Sequence, residues 1–377
     1  MKIQPKELLY KILTVIITLD AALYSTTLSG GLKRPIHLAC LLCTLLFTPL
    51  CVWLQKNGYK QFFISMVLLL FGVISYGISG NTDILVSIIF VVLAWEVDAD
   101  EILGIIYRVR LVVFACTILL AAAGVLELGT IATSSADKGV LLGYGHANTF
   151  AGNAGLLVFL ALAVHRKHLK PYHLVAVAAA GAFIFVVSRS RTSLILIALL
   201  ILMSLLSFLP RGKRILLKMG KIFMPVLVAV IFLLIGMRSV GLFPRFVDIA
   251  DRMLNGRLLL AAMNLEYYPV TLLGQKVDSS IIAAHHQYYV LDNGYAYILV
   301  HYGIAGVCVI CGLAQMALYT CVKKKEYMLL ILSICVLIWM VYEGMMISAT
   351  SNFTLLFAMT CIWSKVEKES TVRRIQI

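Results

Sequence analysis

The chain has 377 residues, 61% of them hydrophobic and only 13% charged, with a formal net charge of +14. That balance excludes an ordinary soluble domain, in which apolar residues make up about half of the chain. It also leaves a strongly basic protein whose cations need a use other than general solubility.

A helix that crosses a hydrocarbon core of about 30 Å needs about 20 consecutive apolar residues. Twelve candidate runs lie near 8–28, 35–54, 61–79, 83–97, 103–127, 146–164, 172–188, 191–209, 222–237, 294–322, 327–346 and 349–364. They do not alternate apolar with polar residues as the strands of a membrane barrel would. The expectation is an all-α polytopic membrane protein of about twelve transmembrane helices in a single integral domain. Residues 238–293 would form one large extracytoplasmic loop between the ninth and tenth helices.

The placement of the basic residues argues against nucleic acid as their partner. With the N-terminus taken as cytoplasmic, most of them fall on inside segments, among them Lys6 and Lys11, Arg166 to Lys170, Arg211 to Lys221, Lys323 to Lys325 and Lys365 to Arg374. This is the asymmetry of the positive-inside rule, and it sets both termini in the cytoplasm. The first run has a basic flank like a signal peptide, but it carries Asp20 and no small-residue cleavage site comes after it, so it reads as a retained helix. The nine cysteines all fall inside predicted spans, where structural disulfides are not expected. Asp20 is an ionisable group within a span, which places it against a protein interior or close enough to the surface to be solvated.

Four stretches carry polar chemistry. At Gly143 to Gly155, His146, Asn148 and Thr149 stand at the start of the sixth run, where an Asn or Thr cap is one explanation and a polar binding surface another. Ser188 to Ser193 holds Arg189 and Arg191 in a short outside link, against the orientation bias. Arginine suits bidentate contacts to phosphate, while snorkelling to lipid headgroups is the competing use. Within the large loop, Phe246 to Leu254 is patterned as an amphipathic helix for the membrane surface. It would either hold Arg245, Arg252 and Arg257 toward a cavity or leave its arginines solvated. Finally, Asp292 sits in an N-cap position before the tenth run, with His285 and His286 upstream and Glu343 and Asn352 expected at a similar depth. A carboxylate placed there can act as a general base. No metal-ligand spacing, phosphate-binding loop or serine-hydrolase motif accompanies these groups, so no metal or cofactor is expected.

Taken in order, G-H-A-N-T-F at Gly145 to Phe150, S-R-S-R-T-S at Ser188 to Ser193, N-G-R at Asn255 to Arg257, D-N-G-Y-A-Y-I-L-V-H-Y-G-I-A-G at Asp292 to Gly306, and the spacing of Glu343 to Asn352 resemble the O-antigen ligase and polymerase superfamily. Within it, they look like the Wzy-type polymerases of capsular and exopolysaccharide clusters. The resemblance implies a GT-C-like, metal-independent, inverting glycosyltransferase in the cytoplasmic membrane of a bacterium. It would join undecaprenyl-diphosphate-linked oligosaccharide repeat units at the outer face. A flippase and a chain-length regulator of the same pathway would be its partners, besides membrane lipid. Arg189, Arg191 and Arg257 would hold diphosphate, with Arg245, His146, Asn148, His285, Asn293 and Tyr295 also lining the substrate. Asp292, His286 and Glu343 are the candidates for the catalytic base. A glycan ligase and a lipid-linked oligosaccharide transporter are the alternatives.

Overall fold

A computed structural model describes residues 5–54, 59–94, 97–132, 138–284 and 290–358. In chain order its helices are α1 (Pro5–Tyr24), α2 (Gly30–Leu54), α3 (Tyr59–Ser79), α4 (Asp83–Leu93), α5 (Ala99–Ala122), α6 (Ala147–His165), α7 (His173–Ser188), α8 (Arg191–Ser207), α9 (Pro210–Ser239), α10 (Pro244–Met253), α11 (Arg257–Tyr267), α12 (Ser279–Ala283), α13 (Gly294–Lys324) and α14 (Tyr327–Trp339). A short antiparallel hairpin, β1 (Thr130–Ala132) with β2 (Lys138–Val140), stands between α5 and α6. Short 3-10 turns come after α14 at Gly344–Ile347 and Phe353–Phe357.

The structure is that of a membrane-embedded, multi-pass helical protein. Among the described residues, six helices are long and apolar enough to cross a bilayer: α2, α3, α5, α6 with its extension to His168, α9 and α13. Four more, α4, α7, α8 and α14, are apolar but hold 17 residues or fewer. At 1.5 Å per residue they reach about 26 Å at most, short of a core of about 30 Å. In α1, Lys6, Glu7, Lys11 and Asp20 interrupt the apolar run. Where the twelfth span was expected, the described residues form a turn and the 3-10 segment Phe353–Phe357.

The chain folds into two compact units. Among the described residues, one comprises 5–54, 97–132, 138–214 and 327–332; the other comprises 59–94, 215–284, 290–326 and 333–358. In the first, α1 packs on α2 and α5, and α5, α6, α7 and α8 pack as sequential neighbours. The charges of α1 are met locally. Lys11 bonds Glu7 at 2.8 Å and Glu101 of α5 at 2.5 Å, and Asp20 pairs with His37 of α2 at 2.9 Å. Asp20 thus has a protein partner, as an ionisable group in an apolar helix requires. Gly139 lets the hairpin lie on the end of α7, because a Cβ there would stand 2.3 Å from the Ser188 carbonyl oxygen.

In the second unit the expected large loop is a folded element. It contains α10 to α12, and Tyr268, Ile282 and Val300 form a small core with Leu265 and Leu291 packed against it. The Tyr268 hydroxyl donates to the Asp278 carbonyl at 2.7 Å and accepts from the Asp278 N–H at 3.0 Å, closing the segment. The expected tenth span is α13, and it is discontinuous. Gly303 adopts φ 69°, ψ −170° inside it. At the break, the N–H groups of Ile304 and Ala305 donate to the carbonyls of Thr271 and Leu272, both at 3.0 Å. Gly274, at φ 86°, meets the same place; a Cβ on it would lie 2.0 Å from the His301 carbonyl oxygen, and one on Gly303 would lie 2.5 Å from Gly274 N.

Left-handed or otherwise restricted backbone costs a side-chain-bearing residue on the order of 1–3 kcal/mol, before any clash is counted. Gly303→Ala and Gly274→Ala should therefore lower the apparent Tm of the purified protein in detergent well below that of Gly236→Ala. Gly236 lies in α9 with nothing within 4 Å of its added Cβ, so equal Tm values for the three variants would show that the break is not a packing constraint.

Candidate functional site

Two successive left-handed residues, Asn255 at φ 52° and Gly256 at φ 78°, turn the chain from α10 into α11. Asn and Gly take this conformation at the lowest cost, which gives N-G-R a backbone reason as well as a chemical one. Gly256 has no side chain to cap α11. Asp251 of α10 supplies the cap instead, accepting from Leu258 N at 2.8 Å and Leu259 N at 3.2 Å. Arg257 is thereby held as the first residue of α11, buried at 9% exposure.

A buried guanidinium requires acceptors in several directions, and each is present. Nη2 of Arg257 pairs with Asp292 Oδ2 at 2.9 Å. Nε donates to the Tyr342 carbonyl at 3.4 Å and Nη1 to the Asn255 carbonyl at 3.2 Å. Asp292 can serve Arg257 because it does not cap α13, contrary to the sequence expectation. Asn293 is the cap, its Oδ1 accepting from Tyr295 N at 3.0 Å and Ala296 N at 3.1 Å. Asn293 is almost fully buried, and its Nδ2 donor has no partner among the described residues.

Glu343 comes to this pair from the chain that leaves α14. It lies past the C-terminus of that helix rather than within it, as the N-cap residue of the turn Gly344–Ile347. Gly294 makes the approach possible. Its N–H donates to the Met340 carbonyl at 2.7 Å, and a Cβ on Gly294 would stand 2.9 Å from that oxygen. Gly344 in turn lies against the carbonyls of Leu291 and Asp292. Loss of solvent around the carboxyl pushes Glu343 up to about 8, the Asp292 carboxylate adds to the rise, and Arg257 opposes it. The cluster is a cation, its paired carboxylate and a second carboxyl group that keeps its proton to about pH 8. Such a set can face an anion and exchange a proton near neutral pH.

The other expected site residues have these places. Arg245 is on the exposed face of α10, so the arginine-rich helix does not deliver its cations to one cavity; among Arg245, Arg252 and Arg257, only Arg257 joins Asp292. Tyr295 is fully buried with its hydroxyl bonded to the Leu337 carbonyl at 2.8 Å, a packing position. Asn352 is buried against Thr354 and Met340. In the first unit, His146 is itself the cap of α6, its Nδ1 accepting from Asn148 N at 3.1 Å, so the cap is neither the Asn nor the Thr that the sequence offered. Arg189 closes α7 at φ 56° and Arg191 opens α8; both are exposed. His285 and His286 lie outside the described residues. Among the described residues no three His, Cys, Asp or Glu side chains form a metal-binding group, and the described cysteines form no disulfide.

Sequence reasoning missed Asp251, the Tyr342 carbonyl and the glycine contacts. Asp251 caps a helix that begins six residues later across a turn, so the usual N-cap spacing gives no signal for it.

The raised Glu343 value sets the sign of a pH effect. A carboxyl group whose folded pKa lies above its ordinary value of 4.5 contributes stability that is fully present below 4.5 and is lost as pH rises through about 8. The apparent Tm in detergent should therefore fall between pH well below and well above 8, and the fall should shrink in Glu343→Gln. In infrared titration of the carboxyl band, the Glu343 midpoint should lie near 8. Asp292→Asn should move it down by removing a like charge, whereas a midpoint that does not respond to Asp292→Asn would separate the two carboxyls.

Comparison with protein-family models, curated proteins and solved structures finds no match to this chain.

Proposed function

We propose that this protein is a membrane glycosyltransferase that joins oligosaccharide repeat units carried on undecaprenyl diphosphate, and so acts as a polysaccharide polymerase. The observation that carries the reading is the Arg257–Asp292 pair with the proton-holding Glu343 beside it. It lies at the N-terminus of α13, where three of the motifs behind the resemblance meet. The mainly helical, membrane-embedded chain suits a substrate with a polyprenyl tail. By the same reading the protein works at the outer face of a bacterial cytoplasmic membrane, on units delivered there by a flippase.

The chemistry asks for little beyond these groups. The acceptor hydroxyl oxygen attacks the anomeric carbon, the bond from that carbon to the diphosphate oxygen breaks, and its electron pair leaves with the diphosphate. A single displacement inverts the anomeric centre, and the activated sugar needs no nucleotide. Glu343 in its ionised form takes the hydroxyl proton, since a base is most effective when its pKa lies near the working pH. Asp292 holds Arg257 in place, and the guanidinium faces charge that develops on the leaving group. Arg189 and Arg191, exposed in the first unit, are cations suited to phosphate.

The test uses purified protein in lipid with its cognate lipid-linked repeat unit, read on a gel that resolves glycan length. A ladder is expected from the unaltered protein, with the rate rising as pH increases toward 8 and levelling above it. Glu343→Gln should reduce the rate by on the order of 10²–10⁴-fold and abolish the rising limb. Arg257→Ala should also abolish the ladder. A single added glycan on a different acceptor would indicate a ligase. Movement of the intact unit across a liposome bilayer with no new glycosidic bond would replace the enzyme by a transporter.

A further inference from the structure

The segment after α9 presents three distinct faces. On α10, Arg245, Asp248 and Arg252, at positions i, i+3 and i+7, share an exposed charged face. Val247 and Asp251, at i and i+4, form the buried face toward the protein, where Asp251 caps α11. Phe246, Ile249 and Met253, again at i, i+3 and i+7, form the third, and they are 58%, 54% and 70% exposed. Residues at these spacings lie on one side of a helix, so the three sets are physically separate surfaces.

In the chain, the apolar face follows an exposed apolar stripe on α9, a helix long and apolar enough to cross a bilayer. Along the spanning helix α9, Ile222, Val226, Val230 and Leu233 make an exposed apolar stripe. Val240, Leu242 and Phe243 carry exposed apolar surface through the turn that joins α9 to α10. Phe243 takes φ 49°, and this left-handed residue redirects the chain at the end of the span. The charged face has its own register: Arg238, in the last turn of α9, pairs with Asp248 of α10, and Arg252 Nε donates to the Asp248 carbonyl at 3.2 Å. A helix at the end of a span with a charged face and an apolar face has the make-up of an in-plane interfacial helix.

We propose that α10 is a lipid anchor whose Phe246–Ile249–Met253 face beds in the acyl–headgroup boundary of the bilayer that α9 spans, with Arg245 and Arg252 among the headgroup phosphates. The Asp251 bonds to Leu258 and Leu259 tie α10 to the start of α11, so the depth that α10 takes in the membrane is passed to Arg257. This inference does not depend on the glycosyl-transfer reading.

The test uses the full chain in single-copy nanodiscs of phosphatidylcholine with brominated acyl chains. The emission of Phe246→Trp, Ile249→Trp and Arg245→Trp is read as the difference from the unaltered protein, which has four tryptophans. Phe246→Trp and Ile249→Trp should show blue-shifted emission that loses most of its intensity in brominated lipid, while Arg245→Trp on the charged face stays unquenched. Met253→Trp gives the same readout if one of the first two variants fails to fold. Unquenched emission at both apolar positions would overturn the proposal. So would a blue shift that appears only when discs hold two copies, which would make a second chain the cover of this face.

Discussion

A guanidinium withdrawn from water has to keep its acceptors, and the arrangement of the second unit around Arg257 is a consequence of that constraint. Removing one member of a buried ion pair costs on the order of 3–5 kcal/mol, because the other charge is left without a partner. Arg257 therefore makes Asp292 structurally necessary whatever chemistry the pair performs. Each further step has a single physical device behind it. Asn255 and Gly256 turn the chain, Asp251 caps the helix that Arg257 begins, and Asn293 takes the capping of α13 so that Asp292 is available. Gly294 then lets the start of α13 lie on the Met340 carbonyl, which brings Glu343 to the pair.

A second constraint comes from the backbone of α13. At membrane depth an unpaired N–H or C=O costs several kcal/mol, so irregular backbone survives only where protein supplies the missing bonds. In a continuous helix the N–H groups of Ile304 and Ala305 would bond Val300 and His301. The Gly303 conformation prevents that, and the carbonyls of Thr271 and Leu272 accept in their place. The stretch between α11 and α12 is therefore a structural complement of the broken helix. Gly274 and Gly303 are the two positions where the backbones meet too closely for a Cβ.

The two carboxyl groups beside Arg257 differ in what they can do, and the difference is environmental. Asp292 has the guanidinium as a direct partner; Glu343 has lost solvent and sits near a like charge, with Arg257 only partly offsetting both. Two nearby carboxyl groups in unlike surroundings are a recurring basis for dividing proton transfer from charge stabilisation. That division is the reason for assigning proton acceptance to Glu343 and positioning to Asp292 in the proposed reaction.

Apolar run length is a local property, and its consequences were legible in the sequence alone: a helical membrane chain, the start and end of most helices to within a few residues, and the polar stretch that holds Arg257 and Asp292. The left-handed turn at Asn255–Gly256 is equally local, since it depends on which residues tolerate positive φ. Tertiary structure decided which groups meet. Arg257 finds the Tyr342 carbonyl 85 residues away, and no spacing rule reaches that far. It also decided that Asn293 rather than Asp292 caps α13, that Tyr295 is buried against α14, that His146 caps α6, and that Gly303 breaks a run whose hydropathy is continuous. In each case the competing states differ by one hydrogen bond or one close contact with another segment. That energy enters only once the chain has brought the segments together.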